Sequence, residues 1–342
     1  MLHTKIHSAI RSLLLAPLTI ATPAWAVTYY VDDNANCATA DGTAAKPFCT
    51  IQAAVNKAAA SGDTVQVAAG DYDAVEIKSK SLRLLGADPT TTFIYGSNNA
   101  GVQNYGININ TFATAGGSVE IAGFTIASVN GNSKGVILDS GSNTSGNLSA
   151  SLHNCILIDH LYAVWVDQAN ANVFNNVIAK SIQSGVYAQD YAYVTATNNI
   201  IVNNENGIFS VGNCGCCCEN INEIYSSYNT YFDNNVHRFE QDGDNNTLTT
   251  FNDVDDVDPL FIDNVSGDYH VQAASTTRNT GSPAAADKDP DGTRNDKGAY
   301  GGPGAIGFWP LPGLPIVTGL TITPSTVATG GTISIQATGK SQ

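Results

Sequence analysis

The sequence predicts an all-β, right-handed parallel β-helix with an N-terminal capping helix, and three observations carry that reading. Between Val119 and Phe239 five short apolar segments begin with Gly or Asn: Gly123-Phe124-Thr125-Ile126, Asn154-Cys155-Ile156-Leu157, Asn176-Val177-Ile178-Ala179, Asn199-Ile200-Ile201-Val202 and Asn229-Thr230-Tyr231-Phe232. Four of these are followed by a small residue that opens a second strand: Gly135-Val136-Ile137-Leu138, Ala163-Val164-Trp165-Val166, Gly185-Val186-Tyr187-Ala188 and Gly207-Ile208-Phe209-Ser210. The steps between Asn154, Asn176, Asn199 and Asn229 are 22, 23 and 30 residues, a period at which short strands stack as a solenoid. A single unit of this size cannot bury its apolar side, so stacking makes the core continuous. Parallel crossovers are right-handed.

Residues 1–26 read as a signal peptide. Lys5 and Arg11 form a positive start, Leu13 to Ala21 is apolar, and Ala24-Trp25-Ala26 offers a cleavage site. The apolar run is shorter than the roughly 20 residues that span a bilayer. An exported chain, secreted or at the cell surface and of bacterial type, is therefore expected to start near Val27. Asp and Glu number 30 against 15 Lys and Arg, a formal charge of −15, which makes nucleic acid and anionic membranes poor partners. A monomer is expected.

The β-helix is assigned to 27–309, with an N-terminal cap at 27–62, coils at 63–240 and an Asp-rich C-terminal module at 241–309. In the cap, Ile51, Ala54, Val55 and Ala58 form one apolar stripe of a helix near Thr50 to Ala60. Thr50 is placed to cap its start and Gly62 to end it. Alternating runs follow at Thr64–Val67, Val75–Ile77, Leu82–Leu84 and Phe93–Tyr95, with turn residues between them. Residues 310–342 read as a Pro-rich linker and one or two opening strands of an immunoglobulin-like module. About 100 residues make such a sandwich, so this stretch is either truncated or a loose tail.

Seven Cys in an exported chain point to disulfides. Cys37 and Cys49 flank a short polar loop and are expected to pair. Cys214, Cys216, Cys217 and Cys218 fall where the coil step lengthens to 30 residues, which makes them an inserted loop. That loop is either stapled by disulfides or holds a soft metal through its thiolates. Cys155 reads as an inert core residue.

The run Tyr30-Val31, Thr50 to Val55, Gly62-Asp63-Thr64-Val65 and Gly70-Asp71-Tyr72 resembles the N-terminal cap and first coils of the pectin-lyase-like superfamily. With the central coils, the resemblance covers roughly residues 28 to 240. It implies a right-handed parallel β-helix in a group many of whose members cut or bind polysaccharides. Asp258-Pro259-Leu260-Phe261, Gly267-Asp268-Tyr269-His270 and Asp291 to Gly301 are similar to the choice-of-anchor Q region of secreted bacterial β-helix proteins. No multi-Asp and Gly-His-Gly pattern of a polygalacturonase-like hydrolase is found.

Period-2 alternation along the second strand of each coil turns Val136, Val164, Val186 and Ile208 inward. It turns Ile137, Trp165, Tyr187 and Phe209 outward, with Asp139, Asp167, Gln189 and Val211 beyond them. Stacked aromatics beside polar acceptors suit sugar rings, whose C–H faces pack on aromatics while hydroxyls bond to Asp and Gln. Trp165, Tyr187, Phe209 and Gln189 are thus candidate carbohydrate-binding residues. If the phase is reversed or loops cover the stripe, the same residues are ordinary packing.

Catalytic candidates come in two sets. Asp139 and Asp167 on adjacent rungs would lie near the roughly 5–5.5 Å of a retaining glycosidase pair, although any two stacked acids share that spacing. The resemblance also implies a lyase reading, in which Lys180, with His160 in the turn of the preceding coil, is the base and calcium supplies positive charge. Asp287, Asp289, Asp291, Asn295 and Asp296 alternate around Gly292 as hard oxygen ligands for Ca²⁺; Gly298 stands where an EF-hand places its bidentate Glu. The alternative there is a turn salt-bridged by Arg294 and Lys297. Asn154, Asn176 and Asn199 read as a structural ladder. The function expected is engagement of extracellular polysaccharide along the solenoid face, with or without cleavage, and the rival is a non-catalytic surface or adhesion protein.

Overall fold

The computed structural model describes residues 26–59, 61–96, 104–110, 117–141, 148–211, 222–240, 246–308, 316–323 and 334–340. Its strands stack into three parallel sheets of nine, eight and seven strands, and every pairing within them is parallel between successive coils, as for Trp165 on Tyr187 and Ile178 on Ile201. The fold is a right-handed parallel β-helix. A coil visits the sheets in fixed order: Leu148–His153 in the nine-stranded sheet, Ile156–Ile158 in the eight-stranded one, Tyr162–Asp167 in the seven-stranded one.

Inside, each rung contributes branched aliphatics that sit on those of the next. Val136, Val164, Val186 and Ile208 are fully buried, as are Leu138, Val166 and Ala188 one step on. Full burial of such side chains is worth about 1.5–3 kcal/mol each. The first of these columns ends on Arg238, in register with Ile208. Its guanidinium lies 4.4 Å from the centre of the buried Tyr231 ring and is paired with Asp255 at 2.9 Å and Asp253 at 3.6 Å. A charged residue thus occupies the last rung of the seven-stranded sheet, where another aliphatic would have no further rung of that sheet to pack on.

The small residue opening each strand of the seven-stranded sheet has a steric cause. There the chain bends so that two successive residues, such as Gly135 and Val136, are both buried. A Cβ on Gly135 would stand 2.4 Å from Ala163 O, and one on Gly207 2.4 Å from His237 O.

At the bend between the nine- and eight-stranded sheets the backbone is satisfied by a buried amide ladder. Cys155 N–H donates to Asn176 Oδ1, Asn176 N–H to Asn199 Oδ1, Asn199 N–H to Asn229 Oδ1 and Asn229 N–H to Asp253 Oδ1, at 2.8–3.0 Å. Each amide also donates to a main-chain oxygen, as Asn199 Nδ2 does to Val173 O at 2.8 Å. The ladder corrects the expected register by one residue. Asn154 belongs to the neighbouring column with Asn175 and Asn198, all at positive φ (49°, 51° and 58°), and Cys155 stands where the ladder begins. Left-handed backbone at a single residue is a conformation that Asn tolerates better than most.

That neighbouring Asn column holds the C-terminal module. Asn154 Nδ2 donates to Ala299 O and Gly301 O (2.9 and 2.8 Å), Asn175 Nδ2 to Asp296 O (2.8 Å), and Asn198 Oδ1 accepts from Ser282 N–H (2.7 Å). Below it, the outward side chains Ile156, Val177, Ala179, Ile200 and Val202 of the eight-stranded sheet form a second apolar cluster with Tyr269 and Ala299. Residues 258–308 therefore lie along the side of the solenoid. The coil strands themselves run on past residue 240, through Thr247–Phe251 and Val254–Asp255.

The helix spans Ile51–Lys57, with Thr50 Oγ1 accepting from Ala53 N–H, and buries Ile51, Ala54 and Val55 against the first strands. It ends at Ala58, ahead of the expected Gly62. That glycine, at φ 83°, lies inside the strand Ser61–Val67 at a register shift. Cys37 and Cys49 form a disulfide. Ile316–Thr323 and Ser334–Lys340 pair as an antiparallel hairpin. The expected signal peptide (but for Ala26), the linker and the Cys214–Cys218 cluster lie outside the described residues. Among the described residues no helix is long and apolar enough to cross a membrane.

Candidate functional site

The outer face of the seven-stranded sheet carries three columns of side chains. The middle one runs Glu76, Asn108, Ile137, Trp165, Tyr187, Phe209 and Phe239. The expected aromatic stack is present and one ring longer. Ring centroids are 4.4 Å apart for Trp165 and Tyr187, 5.6 Å for Tyr187 and Phe209, and 5.2 Å for Phe209 and Phe239, the last pair within 7° of parallel. The rings shield one another yet stay partly accessible, and Phe239 is 42% exposed.

Beyond the rings lie Lys78, Asn110, Asp139, Asp167, Gln189 and Val211, in the register expected from alternation. Gln189 Nε2 donates to Asp167 Oδ2 at 2.6 Å, while Asp167 Oδ1 is buried without a hydrogen-bond partner. Burial first, then the nearby Asp139 and Asp190, pushes the Asp167 carboxyl up to about 6 against the opposing Gln189 bond. Asp139 Oδ1 accepts from Gly141 N–H at 2.8 Å. The chain leaves this edge by short connections at Asp167 and Gln189, since the next nine-stranded-sheet strands begin at Asn170 and Tyr193.

The third column, on the other side of the rings, was not anticipated. It holds Tyr105, Lys134, Tyr162 and Ser184. Lys134 Nζ sits 3.2 Å from the centre of the Trp165 ring, and burial lowers its pKa while Asp167 and Asp139 oppose that shift. Tyr162 meets Trp165 edge-on at 4.9 Å and lies 4.8 Å from Tyr187. Strict alternation hides these residues, because the double inward step at Gly135-Val136 and Ala163-Val164 breaks the period. The rung of Phe239 is hidden by the 30-residue step at the Cys-rich insertion.

The lyase pair is not brought together. His160 is fully buried, its Nε2 3.0 Å from Ile126 O and its Nδ1 3.4 Å from Ser133 Oγ. Burial lowers its pKa to about 4, so it is a neutral packing residue that no substrate proton can reach. Lys180 aligns with Asp159 rather than with His160, since Asp159 N–H and Lys180 N–H bond Ala179 O and Val202 O at equivalent left-handed turns. Both lie at the bend away from the aromatic column.

The five oxygen-bearing residues of the Asp-rich loop do not converge as a ligand set. Asp289 Oδ1 and Oδ2 accept from Asp296 N–H, and Oδ1 also from Gly302 N–H. Asn295 Nδ2 donates to Asp287 O and Asn175 Oδ1, Asp291 Oδ1 accepts from Thr293, and Asp296 Oδ1 accepts from Asn279 N–H. The acceptors are taken up by N–H and hydroxyl donors of the C-terminal module itself, and among the described residues no three His, Cys, Asp or Glu side chains are grouped to hold a metal. The residues present do not fit Ca²⁺. Nor do the two cations of the alternative bridge it: Arg294 Nε donates to Gly281 O at 2.7 Å, and the buried Lys297 reaches Asn229 O and Thr230 Oγ1.

A family model described as "Protein of unknown function (DUF1565)" matches residues 34–249. No curated protein matches the chain in sequence. Among solved structures, a pectin methylesterase from carrot is similar at 14% identity and a TM-score of 0.37, over 69% of this chain and 84% of that one. A pectin methylesterase from Aspergillus niger is similar at 14% identity and a TM-score of 0.36, over 69% and 87%. Likeness at this level carries no inference about activity; the fold stands on its own strand order.

Proposed function

The chain belongs to the DUF1565 family, and we propose that it is an exported protein that binds extracellular polysaccharide along the outer face of its seven-stranded sheet. The observation that carries this reading is the ladder of four rings, Trp165, Tyr187, Phe209 and Phe239, bordered on one side by Asp139, Asp167 and Gln189 and on the other by Lys134 and Tyr162. Rings repeating about every 5 Å offer an extended apolar strip on which the C–H faces of a sugar chain pack. The flanking carboxylates and amide take the hydroxyls. The disulfide in the cap suits an oxidising compartment.

The test is binding of the full chain to neutral, acidic and amino-sugar polysaccharides by affinity electrophoresis, against a Trp165→Ala variant. At least one polymer retards the wild type, and the variant loses about tenfold or more in affinity, consistent with an aromatic contact of 0.5–1.5 kcal/mol beyond its area. Equal retardation of both proteins removes the aromatic face as the site, and binding of a protein partner unaffected by Trp165→Ala supports the adhesion reading instead.

Asp167 favours a second reading, hydrolysis. A carboxyl held up to about 6 by burial, one rung from Asp139, is suited to donate a proton to a glycosidic oxygen while the second carboxylate stabilises the opposite face. New reducing ends in the same panel, abolished by Asp167→Asn, would establish it.

A further inference from the structure

The charges around the aromatic ladder deepen that reading and rest on it: the geometry points to a glycan bearing free primary amines, an amino-sugar polymer, as the preferred ligand, over a polyuronate. Lys134 shows what the face accommodates. Its ammonium group lies 3.2 Å from the centre of the Trp165 ring and within the field of Asp139 and Asp167. An indole face thus already holds a primary amine in the field of two carboxylates, and a cation–π contact is strongest where the cation is partly removed from water. The next rungs repeat the ring without the lysine. In register with Lys134 stand Tyr162, Ser184 and Asn206, while Tyr187, Phe209 and Phe239 continue the stack and Asp190 lies close to Tyr187 and Asp167. Tyr162 fills that place over Tyr187, so amines on the sugars that reach Phe209 and Phe239, beside Ser184 and Asn206, would take the place that Lys134 takes over Trp165.

The same charges disfavour a polyuronate. Asp139 and Asp167 outweigh Lys134 beside Trp165, on a chain of net charge −15. At about 4–5 Å, two like charges near a protein surface repel by a few kcal/mol before salt screens them. The Asp-rich loop, which does not assemble a calcium site, is held against the eight-stranded sheet and so offers this face no bridging cation.

The experiment is isothermal titration of the full chain with three hexaoses, of glucosamine, N-acetylglucosamine and galacturonate, at physiological salt and with and without calcium. It is repeated on Asp139→Asn, Asp167→Asn and the distant control Asp263→Asn. Glucosamine hexaose is expected to bind about tenfold or more tighter than galacturonate hexaose, with N-acetylglucosamine hexaose between them. Each of the two site variants loses about tenfold for the amine-bearing ligand and little for the acetylated one, and the control stays within about twofold. Tighter binding of galacturonate hexaose, with or without calcium, overturns the amine preference and leaves the aromatic platform standing. An equal loss in Asp263→Asn assigns the effect to bulk charge and overturns it too. Failure of all three hexaoses removes the platform reading itself.

Discussion

Two faces of the same solenoid, built by the same coils, have opposite fates. On the eight-stranded sheet the outward residues are Ile156, Val177, Ala179, Ile200 and Val202, and the chain lays its own C-terminal module over them. On the seven-stranded sheet the outward residues at the same coils are Trp165, Tyr187 and Phe209, which stack on one another and stay partly accessible. Aliphatic branches have no means of shielding one another along a column except through a cover. Flat rings half-bury themselves by stacking and still present edges and faces. The difference separates a face built for the chain itself from a face built for something else.

The strongest way to break the comparison is to charge the covered face. Val177→Asp or Ile200→Asp would place a carboxylate in the cluster with Tyr269 and Ala299, at a cost of more than about 4 kcal/mol. Denaturant unfolding should show the loss, and proteolysis should then cut within 258–308. A variant as stable as the wild type would mean that the module is not held by this cluster.

Next in size is the amide ladder beneath the covered face. Asn199→Ala removes the acceptor of Asn176 N–H and the amide donor to Val173 O, a loss of about 2–5 kcal/mol in the same assay. A change under about 1 kcal/mol would show that water replaces the amide at no cost.

His160 sits at the bend joining the two faces and gives a pH signature. Its folded pKa, lowered to about 4 by burial, lies below the unfolded 6.5, so its contribution is complete above about pH 6.5 and is lost as pH falls through about 4. The loss is on the order of 3 kcal/mol. Asp167 and Asp289, both raised to about 6 by burial, act in the opposite sense: their contribution is complete below about 3.8 and lost as pH rises through 6. The difference in stability between wild type and His160→Gln, followed from pH 7 to 4, isolates the histidine. A gap between the two proteins that does not change with pH would refute its neutral burial.

Smallest in stability is the open face. Trp165→Ala should cost only about 1–2 kcal/mol, below the 3–5 of a buried aromatic, while removing most glycan affinity. A larger loss of stability would make the ladder a structural element and blur the distinction between the faces.

How much of this the sequence reveals follows from which signals are local. The inward column Val136, Val164, Val186, Ile208 and the outward rings are visible because period 2 holds within each strand. The amide register slips by one because Asn175-Asn176 and Asn198-Asn199 offer an Asn at both the left-handed and the ladder position, whereas the coil before has only Asn154 followed by Cys155. Lys134 and Tyr162 are hidden by a bend that turns two successive residues inward. The docking of the module rests on bonds spanning up to 147 residues, Asn154 to Gly301, which leave no periodic trace. His160 looks like a solvated turn residue because only the phase of its bend, one residue from Asp159, decides that it points inside.

The central claim, that the ring ladder is the contact face for a sugar chain, is tested most directly by hydroxyl-radical footprinting with glucosamine hexaose bound. The protein carries its own control: Tyr193 and Tyr225 form a second ring pair, 5.6 Å apart and 42% and 39% exposed, on the nine-stranded sheet. Protection of Trp165, Tyr187, Phe209 and Phe239 with Tyr193 and Tyr225 unchanged is the result predicted. Protection of the tyrosine pair, with the ladder oxidised as in the free protein, would contradict it.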